Sequence, residues 1–161
     1  MSELGISIYP SKSSFDEMQS YLTQARELGY KKIFTSLLEV TGDTATVVDH
    51  FKKIIQYGNQ IGMQTCIDIN PKLFKQLNID YSDLSFFKEL GVTTIRLDEG
   101  FTGYEEAKMT FNPWHLKIET NISRGQHYID MVCDFGANTK NLSGSHNFYP
   151  QVRTGLQENY F

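Results

Sequence analysis

Residues 66–70 are Cys-Ile-Asp-Ile-Asn, and this stretch decides the fold because apolar and polar side chains alternate along it. Alternation with a period of two is typical of a β-strand that buries only one face. The same pattern recurs at residues 6–9, 95–98 and 117–119. In an open doubly wound sheet helices cover both faces, so its strands are apolar on both sides. The alternation therefore favours a (β/α) barrel, whose strands turn one face inward.

Similar β-rich runs alternate with stretches of helical character along the whole chain. The runs are Leu4–Pro10, Lys31–Leu37, Met63–Asn70, Val92–Glu99, Leu116–Ile122 and Leu142–Tyr149. They begin roughly every 30 residues, which is the length of one βα unit. The sequence thus predicts an α/β fold of the (β/α)8 TIM-barrel type, with only about six of the eight βα units present.

Helix signals lie between these runs. Ser14 with Glu17 predicts a capped helix start, and the helix that follows ends at Gly29. Apolar spacing predicts further helices at 44–61 and 83–91, and shorter helices at 104–109 and 126–135. Pro71 predicts a helical turn over 71–77, since proline suits a first helical position.

Composition excludes several classes of function. The chain has 161 residues, 40% of them hydrophobic, and a net charge of -4 without a basic cluster, which argues against nucleic-acid binding. No apolar run is long enough to span a membrane, and no secretory signal is recognisable, so we expect a cytoplasmic protein. Cys66 and Cys133 are predicted to be buried thiols. No phosphate-binding glycine loop follows a strand, so no cofactor is predicted.

Polar residues gather near the predicted carboxyl ends of the strands, where barrel enzymes place their active sites. Carboxylates, amides and a histidine suit carbohydrate chemistry, because glycosidic cleavage uses one protonated and one ionised carboxyl group. The candidate residues are Tyr9, Asp68, Asn70, Asp98, Glu119, Asn121, His146, Asn147 and Tyr149.

Structural roles compete with these assignments. Arg96 lies two positions before Asp98 and could form an interior ion pair with it. Asp68 could cap the turn that follows, and Lys117 could be a structural partner of Glu119. His146 could be a hydrogen-bonded wall residue.

A metal site is the main chemical alternative. Asp68, Glu119 and His146 could converge on Mn2+ or Zn2+, as in a metal-dependent sugar-phosphate isomerase or epimerase. No His-x-His pair supports this alternative, so the first choice contains no metal.

The residues also resemble a known family. The motifs are Leu4-Gly-Ile-Ser-Ile-Tyr-Pro10, Ile33-Phe-Thr-Ser-Leu-Leu38, Ile95-Arg-Leu-Asp-Glu-Gly-Phe101, Asn112-Pro113, Ile118-Glu-Thr-Asn121, Ser145-His-Asn-Phe-Tyr-Pro-Gln151 and Thr154-Gly-Leu156. Together they resemble the bacterial 6-phospho-N-acetylmuramidases, often labelled outer surface proteins. The resemblance covers the whole chain, and its last motifs are the most specific. Family members commonly have Gln-Arg-Tyr-Thr-Gly where residues 151–155 are Gln-Val-Arg-Thr-Gly, so Arg153 is displaced by one position.

The resemblance implies a glycosidase of peptidoglycan recycling that separates 6-phospho-N-acetylmuramic acid from N-acetylglucosamine. Asp98 and Glu119 are then the expected catalytic carboxyl groups, and the other seven candidates are expected to bind the phosphorylated disaccharide. Family members have a barrel domain followed by a cyclophilin-like domain. Residues 1–161 are therefore expected to be an incomplete barrel domain without that second domain. The remaining alternative is a non-catalytic carbohydrate-binding fragment.

Overall fold

The computed structural model describes residues 3–98 and 100–120, and within them the strands form one parallel sheet. The strands lie side by side in chain order: β1 (Gly5–Ser7), β2 (Lys32–Ser36), β3 (Gln64–Ile69), β4 (Thr94–Leu97) and β5 (Lys117–Thr120). The first five predicted strands are thus confirmed, and each begins one or two residues later than predicted. The sixth, at 142–149, lies outside the described residues.

Helices connect these strands. They are a short 3-10 helix (Pro10–Lys12), α1 (Phe15–Glu27), α2 (Thr44–Gln60), α3 (Pro71–Leu77), α4 (Ser85–Leu90) and α5 (Gly103–Thr110). The predicted helix at 126–135 lies outside the described residues. The predicted start of α4 at Asp83 is two residues early, because the Asp83 carboxylate accepts a hydrogen bond from the Ser85 N–H (3.0 Å) and forms a turn before the helix.

Side-chain caps fix where the helices begin. Ser14 accepts a hydrogen bond from the Glu17 N–H (3.3 Å), and Asp43 accepts one from the Thr46 N–H (2.9 Å). Thr102 and Glu105 form a reciprocal capping box before α5. Each bond satisfies a backbone donor that the helix itself leaves unpaired. These local signals explain why the helix positions were predictable from the sequence.

The strand register gives the sheet two different faces. On one face Ile33, Ile67, Ile95 and Ile118 are buried. The opposite face, which we call the polar face, carries the alternating partners of these residues: Lys32, Phe34 and Ser36 on β2, Gln64, Cys66 and Asp68 on β3, Thr94 and Arg96 on β4, and Lys117 and Glu119 on β5. The predicted separation into an apolar and a polar parity is confirmed.

The apolar core lies on the helix side of the sheet. Its larger part includes α2 to α5 and the strands from β3 to β5, and a smaller part joins β1 and β2 to α1 and α2. Aromatic rings from the segments that follow β3 and β4 meet in the larger part. Phe74 contacts Tyr81, Phe87 and Phe101 at ring-centroid distances of 4.7, 5.7 and 5.7 Å. This cluster holds together the chain segments that leave the carboxyl ends of β3 and β4.

No helix in the described part of the chain is both long and apolar enough to cross a membrane.

We expect Phe74→Ala to lower the free energy of unfolding by about 3–5 kcal/mol, because Phe74 is 2% exposed and its removal leaves a cavity among three aromatic rings. Urea unfolding measures this loss. Phe111→Ala is the control, since Phe111 is 74% exposed and its truncation should cost less than about 0.5 kcal/mol. Equal losses in the two variants would contradict the assignment of Phe74 to the core.

Candidate active site

A row of charged residues crosses the polar face near the carboxyl ends of the strands. Asp68 on β3 is paired in register with Arg96 on β4, which is paired with Glu119 on β5. We call these three residues the charged row. Ser36 on β2 continues the row on the other side of Asp68. Arg96 is therefore flanked in register by an acidic residue on each neighbouring strand, and these two acidic residues lie 51 positions apart in the sequence.

Arg96 also packs on an aromatic ring. Its guanidinium carbon lies 5.5 Å from the centre of the Phe34 ring on the same face of the sheet. A cation at this distance from a ring is attracted by the electrons of the ring face. Arg96 thus has neighbours on three strands, whereas the sequence suggested only Asp98 on its own strand. An ion pair between Arg96 and Asp98 stays a prediction.

Asp68 is the most buried of the three candidate carboxyl groups. It is 8% exposed, and its Oδ1 is buried with no hydrogen-bond partner among the described residues. Burial raises the pKa of Asp68 to about 6; the Asp98 carboxylate also raises it, whereas Arg96 lowers it. Buried oxygens without a partner are costly, so Asp68 has an acceptor available for a ligand.

Asp98 follows directly after β4 and extends the pairing of the sheet by one residue. Its N–H donates to the Ile69 carbonyl (2.9 Å), which fixes the backbone of Asp98 beside the end of β3. Because side chains alternate, Asp98 is on the same face as Arg96 and one step nearer the strand ends. Its effect on the pKa of Asp68 shows that the two carboxyl groups interact electrostatically.

Glu119 lies at the β5 end of the charged row. Burial raises the pKa of Glu119, whereas Arg96, Lys32 and Lys117 lower it. Lys117 is therefore one of three cations that act on this carboxylate. Arg96 lowers the pKa of Glu119 more than Lys117 does. Lys117, the partner that the sequence suggested, is therefore a secondary one.

Cys66 lies on the polar face two residues before Asp68. It is a free thiol and is half-buried, whereas the sequence predicted a buried thiol. Burial nevertheless raises the pKa of Cys66 to about 12. The carboxylates of Glu119 and Asp68 also raise this pKa, whereas Arg96 and Lys32 lower it. A thiol with such a pKa is protonated at neutral pH and is a poor nucleophile. Cys133 lies outside the described residues.

Asn70 and Tyr9 have local roles. The Asn70 side-chain oxygen accepts a hydrogen bond from the Leu73 N–H (3.1 Å) and caps α3, so Asn70 takes the capping role that the sequence offered to Asp68. Tyr9 is 58% exposed and lies in a groove with Met18 and Tyr21 of α1. Neither residue has a described contact with the charged row.

The remaining predicted site residues are Asn121, His146, Asn147 and Tyr149, and all four lie outside the described residues. The metal alternative needed His146, so it stays untested. Among residues 3–98 and 100–120, no three His, Cys, Asp or Glu side chains are grouped as metal ligands.

Sequence reasoning did not identify His50. This residue of α2 donates its Nε2–H to two backbone carbonyls, those of Pro10 (2.9 Å) and Ser13 (3.0 Å). Both partners are acceptors, so Nε2 carries a proton. His50 also lines a cleft between the short 3-10 helix and α2. Nothing in the local sequence marks a histidine whose partners are main-chain atoms almost 40 residues away.

Comparison with known proteins decides the family. Residues 4–161 match the family model described as 6-phospho-N-acetylmuramidase, N-terminal. The chain belongs to this family. An uncharacterised protein from B. cereus is 43% identical to it, with a TM-score of 0.69, and the match covers 92% of this chain and 39% of the other.

More distant structures support the fold only. A conserved protein of unknown function from Enterococcus faecalis is 21% identical, with a TM-score of 0.70, over 89% of this chain and 38% of that protein. A predicted mandelate racemase from Rhodobacter sphaeroides is 14% identical, with a TM-score of 0.58, over 83% and 34% of the two chains. No curated protein matches the chain significantly.

These matches confirm the predicted fold class and the resemblance. The described residues of the chain form a parallel α/β sheet like part of a TIM barrel, and the chain covers about a third of the predicted mandelate racemase. The chain spans about two fifths of the length of the B. cereus and E. faecalis proteins. The predicted division into an incomplete barrel domain and an absent second domain stays a prediction.

Asp68→Asn should stabilise the chain at neutral pH. The pKa of Asp68 is raised from 3.8 to about 6, so its favourable contribution is fully present below pH 3.8 and is lost as the pH rises through about 6. We therefore compare the free energy of unfolding of the variant with that of the unchanged chain at each pH. The variant's value minus the unchanged chain's value should rise by about 1–3 kcal/mol from about pH 4 to about pH 7.5.

Urea unfolding at several pH values measures this difference. Asp49→Asn is the control, because Asp49 lies on α2 in an exposed ion pair with Lys53, and its relative stability should change by less than about 0.5 kcal/mol. A relative stability of Asp68→Asn that does not vary with pH would contradict the burial of this carboxylate.

Proposed function

We propose that the protein is a glycoside hydrolase that separates 6-phospho-N-acetylmuramic acid from N-acetylglucosamine in peptidoglycan recycling. One observation carries the proposal: Asp68, Asp98 and Glu119 share the polar face near the carboxyl ends of β3, β4 and β5. The family to which the chain belongs supports the phosphorylated substrate. A sugar phosphate is an intracellular type of substrate, which fits the cytoplasmic location that the sequence predicts.

Asp98 and Glu119 are our proposed catalytic carboxyl groups. Asp98 directly follows β4 and Glu119 lies on β5, and neighbouring strands lie about 4.8 Å apart. Glycosidases hold their two carboxyl groups about 5–9.5 Å apart, with the shorter separations in retaining enzymes. One group, protonated, would donate its proton to the glycosidic oxygen. The other, ionised, would attack the anomeric carbon or take a proton from the attacking water.

The environment of Glu119 suits the proton donor. Burial raises its pKa, which keeps more of the carboxyl protonated at a given pH. The three cations around it oppose this effect and would stabilise the carboxylate once the proton has left. We therefore assign the proton transfer to the leaving oxygen to Glu119 and the ionised role to Asp98.

Asp68 would bind the substrate. Its Oδ1 is a buried acceptor without a partner in the described part of the chain, and a sugar hydroxyl or an acetamido N–H could donate to it. Asn70 uses its side-chain oxygen to cap α3, so its amide NH2 is the group left for substrate. Tyr9, Asn121, His146, Asn147 and Tyr149 complete the proposed binding residues.

Glu119→Gln and Asp98→Asn should each reduce kcat on the phosphorylated disaccharide about 10²–10⁴-fold, because each removes a carboxyl group that must give up a proton or carry charge. Asp68→Asn should mainly raise KM, because an amide oxygen still accepts a hydrogen bond but more weakly. The measurement is release of N-acetylglucosamine by the longest form of the protein that its gene encodes.

Glu89→Gln on α4 is the matched control for Glu119→Gln, since Glu89 is exposed and lies on a helix. Its kcat should stay within about twofold. Undiminished turnover in Glu119→Gln and Asp98→Asn would refute the catalytic assignment.

A further inference from the structure

A surface cavity lies beside the charged row. It is a cleft of about 300 Å³ at the carboxyl ends of β1 and β2, enclosed by the short 3-10 helix, the segment after β2 and the first turns of α2. This volume is at the lower end of the range for small-molecule sites. Hydroxyl groups dominate its polar wall and apolar side chains form the rest; its lining is Ser11, Ser36, Leu37, Glu39, Thr41, Thr46, Val47, His50 and Phe51.

The cleft adjoins Asp68 of the charged row through two of its lining residues. Ser36 lines the cleft and is also paired in register with Asp68. The N–H of Leu37, another lining residue, donates to the Asp68 carbonyl (2.9 Å). A ligand in the cleft would therefore lie one strand away from the carboxylate of Asp68. One part of a substrate in the cleft and an adjoining part beside Asp68 would therefore be next to each other.

Hydrogen bonds fix the walls of the cleft before any ligand binds. The Nε2–H of His50 ties α2 to the carbonyls of Pro10 and Ser13, on either side of Ser11. The Thr46 hydroxyl donates to the Asp43 carboxylate (2.6 Å), so its oxygen remains an acceptor. Polar groups that are already oriented lose little entropy when a ligand binds.

The charges of the cleft select against a phosphate. Its lining contains one acidic residue, Glu39, and neither lysine nor arginine. The ammonium group of Lys72 is paired with Glu39. A phosphate there would face a carboxylate and no lysine or arginine of the lining, whereas a neutral ring with several hydroxyls would find both donors and acceptors.

We propose that this cleft binds the unphosphorylated N-acetylglucosamine ring of the disaccharide, with the phosphorylated ring over the charged row. The identity of the sugar rests on the proposed function. The cleft, its neutral polyhydroxyl chemistry and its position beside Asp68 rest on the contacts described above.

The test is an NMR titration of the chain with N-acetylglucosamine alone. We expect saturable shifts of the amide signals of residues 37–47. Ser11→Trp fills the cleft and should weaken this binding at least about tenfold, whereas Ser20→Trp, an exposed position on α1, should change it less than about twofold. Thr41→Tyr fills the cleft from the segment after β2 and should act like Ser11→Trp. Glucose 6-phosphate should shift the same signals less than N-acetylglucosamine does.

Absence of saturable shifts at residues 37–47, or equal binding by Ser11→Trp, Thr41→Tyr and Ser20→Trp, would overturn the proposal. Hydrolysis of the phosphorylated disaccharide is measured in parallel to separate the two proposals. Sugar binding without hydrolysis in the longest encoded form would refute the proposed function and retain the cleft as a neutral sugar site. Hydrolysis with an unchanged KM in Ser11→Trp would refute the cleft and retain the function.

Discussion

The parallel register of β3, β4 and β5 is the constraint on which the rest of the site depends. It brings Asp68, Arg96 and Glu119 into one row, although their positions in the chain are far apart. Since one cation stands between two partly desolvated carboxylates, each carboxylate is stabilised by Arg96 and destabilised by burial. A slip of one residue would turn these side chains into the apolar core, where unpaired charges are very costly.

The core beneath the sheet keeps this register in place. Ile67, Ile95 and Ile118 alternate with the charged row and are buried against the helices. The aromatic cluster around Phe74 then joins the segments that leave β3 and β4. Burial of the apolar side chains therefore fixes where the polar side chains lie, because successive residues of a strand point to opposite faces of the sheet.

The charged row and the cleft beside it divide the chemistry of the polar surface. The row offers carboxylates with raised pKa values and one guanidinium group, which suits acid–base chemistry. The cleft offers hydroxyls on walls held by His50, which suits recognition of a neutral ring. Ser36 belongs to both, so the two parts of the surface meet at the end of β2.

Local patterns determined much of the architecture. Strand alternation, helix caps and the proline at the start of α3 placed the described elements within a few residues, because these signals act over one or two helical turns. The same alternation put Asp68, Asp98 and Glu119 on one face. The motifs of the chain also identified its family. Each of these inferences needs only residues that are close together in the sequence.

Contacts between distant segments were decided by the tertiary structure alone. The sequence offered Asp98 as the partner of Arg96, and the register places Asp68 and Glu119 beside it as well. Asp68 was a possible cap, yet Asn70 caps α3 and leaves Asp68 buried with a raised pKa. No pattern in the sequence predicted the cleft that His50 lines. Desolvation and cross-strand pairing depend on which distant segments pack together, and a local pattern of residues does not determine this packing.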